Sequence, residues 1–262
     1  MKYAFQILEY SIFLLLTGCV TLYKPNTINS PLLKEKGDLH ATAAFGLSGS
    51  GLYNLQSAYA LSDHIGIMIN GMYHNSEFSS NNNSMERLNM YFGEAGGGYF
   101  STFGKNNKGL FQCYGGMGYG STTDKIENST QVNPEVSAEY INVFIQPGIG
   151  HIEKNVEIAF DVRANYIRLY NIHAYLYENF EWWNTDFKYY SDTTLDFVNI
   201  EPAMTLKAGG DKVKAVFQLG VILPAINSKS YFDVNSSSIF VGPLLKFAIG
   251  INYTFGKKNT GK

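Results

Sequence analysis

An alternation of apolar and polar residues recurs in about ten segments after residue 37, and it limits the folds open to this chain. Successive side chains of a β-strand point to opposite faces, so a period of two reads as a strand with one apolar face. Segment 154–171 is the clearest. Val156, Ile158, Phe160, Val162, Ala164 and Tyr166 face one way, while Glu157, Asp161, Arg163 and Asn165 face the other. The remaining segments cover 38–48, 51–61, 64–74, 86–102, 109–120, 136–150, 195–208, 211–223 and 239–255. Glu201, Lys207, Lys214 and Lys246 fall on the polar faces of the last three.

Two folds could use such strands. A soluble sandwich would bury the apolar faces against a second sheet, whereas a transmembrane barrel would turn them to lipid and the charges inward. Composition favours the barrel. Charged residues make up 16% of the 262 and aromatics 15%, with 26 glycines, where soluble domains carry about 25% charged residues. Mean hydropathy is only −0.12, as expected of a wall that shows lipid every second residue. The connections alternate in length. Those at 62–63, 103–108, 150–154 and 208–211 are short, and those at 75–85, 121–135, 172–194 and 224–238 are long and polar. The connection at 49–51 breaks the pattern. Short periplasmic turns, long outer loops and an even strand count describe bacterial outer-membrane barrels. The expectation is an all-β, transmembrane antiparallel β-barrel of about ten strands, with eight to twelve open. Glu157, Asp161, Arg163, Glu201, Lys207, Lys214 and Lys246 should then form a paired network inside it. The net charge of −2 gives no sign of nucleic-acid binding.

The N-terminus supplies an address. Leu16-Thr17-Gly18-Cys19 follows a short apolar run behind Lys2 and resembles the bacterial lipobox, where the leader is cut before a cysteine that is acylated. Gln6 and Glu9 interrupt the run, which is too short to span a bilayer. The expected organisation is a lipoprotein signal peptide over 1–18, a linker over 19–37 lipidated at Cys19, a barrel over 38–255 and a tail over 256–262. Residues Val20-Thr21-Leu22-Tyr23 lack the acidic run that resembles a surface-export tag in some Bacteroidetes lipoproteins. A periplasmic N-terminus in the outer membrane is therefore expected. With Cys19 acylated, Cys113 has no disulfide partner.

Further motifs run through the first half of the chain. Residues 23–38 read Tyr23-Lys24-Pro25-Asn26-Thr27-Ile28-Asn29-Ser30-Pro31 and then Lys36-Gly37-Asp38. Tyr59-Ala60-Leu61-Ser62-Asp63-His64 follows, then Glu94, Gly96, Gly98 and Tyr99, and Tyr114-Gly115-Gly116-Met117-Gly118. Together with the lipobox this resembles a group of Bacteroidetes outer-membrane β-barrel lipoproteins, most closely over 16–120. The chain also ends its last strand Tyr253-Thr254-Phe255, like a barrel-assembly signal, although a tail follows. The resemblance implies location and fold, and no activity.

Candidate sites are few. Ser62-Asp63-His64 sits in a short turn, where Asp commonly caps its own backbone. The glycine runs at 96–98 and 116–120 lack the following helix of a phosphate loop and fit better as relief of crowding in strands. His40, His64, His74, His151 and His173 show no metal-ligand spacing, and no metal or cofactor is expected. The omptin proteases are ten-stranded barrels with acidic residues and a histidine at the outer rim. His74, Glu77 and His173 would lie near that rim here. Segment 172–194 carries both tryptophans, Trp182 and Trp183, beside Tyr189 and other aromatics. These rings suit stacking on a surface glycan or a protein partner, or a girdle on strands that extend past the bilayer. The expected function is a structural or surface-interaction barrel whose partners include membrane lipid. The alternatives are an outer-rim hydrolase and a narrow small-solute transport barrel.

Overall fold

A computed structural model of the chain describes residues 23–46, 52–80, 84–128, 135–181, 184–226 and 244–255. Ten strands close into one barrel, each hydrogen-bonded antiparallel to its neighbours in sequence. They are β1 (Leu39–Gly46), β2 (Leu52–Ala60), β3 (Ile65–Ser80), β4 (Ser84–Phe103), β5 (Gly109–Asn128), β6 (Glu135–Ile152), β7 (Val156–Glu181), β8 (Asn184–Gly209), β9 (Val213–Ile226) and β10 (Leu244–Phe255). Pairing of β1 with β10, from Leu39↔Phe255 to Gly46↔Ala248, closes the ring. Within the ring every strand has a partner on each side, as lipid demands.

The pleat sorts the side chains as the alternation predicts. Leu55, Ile69, Met117, Ile145, Ile158, Phe217 and Ile251 point out and are exposed. An apolar belt round a whole molecule far exceeds the few hundred Å² that soluble monomers expose. It is bounded on both sides. Towards the long connections the outward residues Tyr53, Tyr73, Tyr91, Tyr119 and Tyr166 form an aromatic ring. Beyond it the exterior turns charged, with ion pairs Glu77–Arg87, Lys125–Glu135 and Arg168–Asp196. At the other end lie Tyr99, Phe103, Phe111 and Phe255, then the exposed pairs Lys108–Glu153 and Lys154–Asp211. Aromatic girdles flanking an apolar band mark the two interfaces of a bilayer.

The turns at one end are tight. Leu61 N–H donates to Ile65 O and Gly210 N–H to Val213 O, both at 2.9 Å. The β4–β5 connection contains a single 3-10 turn, Lys105–Asn107, entered through Gly104 at φ 77°, a left-handed conformation that glycine adopts without a Cβ clash. At the loop end the structure corrects the expected connections. Segments 75–85, 121–135 and 172–194 are largely strand. β3 pairs β4 to Ser80↔Ser84, and β7 pairs β8 to Glu181↔Asn184 through several register shifts. Their Asn, Ser, Thr and Asp content suits strands that have left the bilayer for water. β7 and β8 run 26 residues each, while β1 and β2 run 8 and 9. The short strands adjoin, in the arc β9–β10–β1–β2.

Candidate functional site in the barrel lumen

The segment expected as a linker is the core of the molecule. Residues 23–33 run through the lumen and all but Lys24 are buried. This plug has no strand partner, so its backbone polar groups must be met by side chains. Inward-pointing amides do this. Gln218 accepts from Ile28 N–H at 2.8 Å and donates to Ile28 O at 2.7 Å, as a neighbouring strand would. Gln56 donates to Thr27 O and Gln146 to Asn29 O, both at 2.8 Å. Asn54 Oδ1 accepts from Thr27 N–H and Gln112 Oε1 from Leu32 N–H. Lys207 Nζ donates to Ser30 O at 2.7 Å.

The plug's own side chains complete a polar layer midway along the lumen. Asn26 donates to Glu94 and accepts from Arg163 at 3.2 Å. Asn29 donates to Asn70 at 2.7 Å. Ser30 donates to Asp161, which also accepts from Gln112 at 2.7 Å. Arg163 is the centre of this layer and is fully buried. Its Nη1 reaches both Glu94 oxygens, at 3.1 and 3.2 Å. Its Nε and Nη2 donate to Gln146 at 3.1 and 2.8 Å. The guanidinium carbon lies 4.4 Å from the centre of the Phe144 ring, on which it stacks. Lys246 pairs with Glu201 at 3.0 Å and Lys214 with Glu157 at 3.2 Å. Lys207 is held by Ser30 O and Asp161 by Ser30, Gln112 and Gln146. The charges expected to point inward do so, and Arg163, Lys214 and Lys246 are in ion pairs. Glu94, on β4, joins them, although its Gly-rich surroundings gave no sign of a polar face.

Apolar layers cap both ends of the polar one. At the turn end Leu32 and Leu33 pack with Ala58, Met68, Phe100, Leu110 and Tyr114. Leu32 adopts φ 55°, a left-handed strain of about 1–3 kcal/mol for such a residue, which complete burial of its side chain offsets. At the loop end Tyr23 packs edge-on against Tyr140 and Phe197, with ring centres 5.3 and 5.7 Å away. Its hydroxyl accepts from Asn165 at 2.8 Å. The glycines provide the space. A Cβ at Gly120 would enter the Tyr140 ring, and one at Gly116 would meet the backbone of Ala95 and, at 2.9 Å, the Phe144 ring. Two cavities flank the plug, of about 10 and 20 Å³, each room for at most one water. Neither cavity is large enough to form a path beside residues 26–33.

Outside the lumen, the sequence candidates do not converge. Ser62-Asp63-His64 forms the turn that docks the base of the plug. Ser62 Oγ accepts from Ile65 N–H at 3.0 Å, and Asp63 Oδ1 accepts from Lys36 N–H at 2.9 Å. His74 is buried in the lumen, with Nε2 3.4 Å from Lys24 Nζ, and not at the rim. Glu77 points outward into its ion pair with Arg87. His173 is exposed on β7, four strands away from β3. These three cannot act on one bond. No cluster of three potential metal ligands occurs among the described residues. Trp182 and Trp183 lie outside the described residues, as does Cys19. Tyr189 is on the extended part of β8, opposite Tyr175.

No family model and no curated protein sequence matches the chain. Among solved structures it is similar to the translocator domain of the autotransporter NalP from Neisseria meningitidis. Identity is 12% and the TM-score 0.47, over 84% of this chain and 87% of that one. It is also similar to a major outer membrane protein from Thermus thermophilus, at 11% identity and TM-score 0.41 over 84% and 99%. The N-terminal β-barrel domain of Pseudomonas aeruginosa OprF follows at 8% and 0.33, over 85% and 100%. The fold itself rests on the closed pairing of the ten strands.

Proposed function

We propose that this chain is a self-plugged outer-membrane barrel, anchored also by lipid on Cys19, that works as a surface-interaction scaffold and not as a pore. The occupied lumen carries this reading. Residues 23–33 bond to inward side chains of seven or more strands, so expelling them would expose several buried charges and amides together. A transport pathway would need that whole layer to move. The extended hairpins β3–β4, β5–β6 and β7–β8 offer what a pore does not need, a stand beyond the bilayer. Segment 172–194, with Trp182, Trp183 and Tyr189 in its sequence, supplies aromatic rings for contact with a glycan or protein partner.

Purified protein in planar bilayers should show no steady conductance. The Gln218→Leu variant removes both side-chain bonds to Ile28 and should admit intermittent current. Steady conductance by the unaltered protein would overturn the scaffold reading in favour of transport.

A further inference from the structure

The plug has a direction, and the direction bears on where the lipid goes. Its base is at the turn end, where Asp38 Oδ2 accepts from Lys34 and Glu35 N–H and Gly37 N–H donates to Ala60 O. From there, read backwards, the chain climbs past Ser30 at Asp161, Thr27 at Asn54 and Asn26 at Glu94 to Tyr23. Tyr23 packs on Tyr140. The Cα partner of Tyr140 is Gly120, and that of Gly120 is Phe92. The outward neighbours on those two strands are Tyr119 and Tyr91, members of the loop-side aromatic ring. Tyr23 therefore sits inside the wall at the level of the loop-side membrane interface.

Cys19 is four residues from Tyr23. Four extended residues reach at most about 14 Å, whereas the apolar band of such barrels is about 25 Å tall. The lumen below Tyr23 is filled by residues 24–33 and the Arg163 layer. A chain leaving Tyr23 can neither pass back down nor reach the turn-side leaflet round the outside.

We infer that the acyl chains on Cys19 insert into the loop-side leaflet of the membrane. This rests on the lipobox reading of Cys19 and replaces the periplasmic N-terminus expected from the sequence. The lipid is then the far end of a strap. One end of residues 19–38 is held by acyl chains in the outer leaflet and the other by the Asp38 and Asp63 caps at the turn end, so the plug is tied at both mouths.

Side and lipid are measured separately. Three single cysteines are introduced in a Cys113→Ala background, with Cys19 kept: Thr21→Cys, Glu77→Cys at the loop end and Lys105→Cys at the turn end. Intact cells are treated with a membrane-impermeant maleimide, and palmitate incorporation is followed in the same strains. Thr21→Cys should label in intact cells as fully as Glu77→Cys, while Lys105→Cys labels only after permeabilisation. Palmitate should be incorporated and be lost in Cys19→Ala. A Thr21→Cys thiol that labels only after permeabilisation, or in neither state, overturns the inferred exit. Outside labelling without palmitate overturns the lipid assignment alone, and so identifies the lipobox reading as the part that failed.

Discussion

On β6 and β7 an isoleucine and an arginine lie almost back to back across one thickness of wall. Ile145 faces lipid and its Cα partner is Ala164; the next residue, Arg163, is fully buried in the lumen. A soluble protein puts the isoleucine inside and the arginine out. The inversion follows from the solvent on each side. Lipid offers no hydrogen bonds, so the outer face must be apolar. The lumen of a narrow barrel excludes bulk water too, so its polar groups must satisfy one another. The outside tolerates many residues of one kind, whereas the inside depends on particular partners.

This contrast can be broken from either side. The largest effect is expected inside. Arg163→Leu leaves Glu94 a buried charge without its cation, which typically costs about 3–5 kcal/mol. Heat-dependent gel mobility in detergent should show the barrel opening at a much lower temperature, and an unchanged transition would disprove a central role for the pair. The outside comes next. Ile145→Arg presents a cation to lipid near mid-bilayer and should cost about 2–4 kcal/mol in refolding into lipid vesicles. Ile145→Leu should be nearly silent. Equal behaviour of the two variants would mean that this face does not meet lipid.

The smallest effect belongs to the charges that touch water. Glu153, in the β6–β7 turn, is held below the usual carboxylate range chiefly by the hydrogen bond from Lys108 at 2.6 Å. A depressed folded-state pKa contributes stability above the unfolded pKa and loses it as pH falls through the folded value. Because the group is fully exposed, Lys108→Ala should raise the Glu153 titration without shifting the opening temperature at neutral pH. A large shift would show that the turn-end charges share the buried network's role.

Much of the wall was legible because period two is a local signal. Val156 to Tyr166 against Glu157 to Asn165 fixes two faces of β7 with no knowledge of its neighbours. The glycines of β5 were legible as relief of crowding, but not as space for Tyr140 and Phe144, which come from the next strand. In sequence the hairpin extensions look like loops, since residues such as those of 121–135 are polar and break the apolar alternation. Above the membrane a strand needs no apolar face, only a partner in register. The plug was hidden for a different reason. Residues 23–33 have no periodicity, and their partners are remote in sequence: Ile28 meets Gln218 across 190 positions. One hint was available. Asn54, Gln56, Asn70, Gln112, Gln146 and Gln218 all point inward, and so many amides in a dry lumen imply a backbone to receive them.

The sequence by itself determined that strands would form, about how many, which face would meet lipid and that the inner charges would be of mixed sign. These follow from alternation along one strand and from the charge count of its polar face. Only the closed barrel decided what fills the lumen, which carboxylate meets Arg163 and towards which mouth Tyr23 points. Those outcomes depend on side chains from different strands meeting across a space too narrow for water, and no single stretch of the chain carries that information.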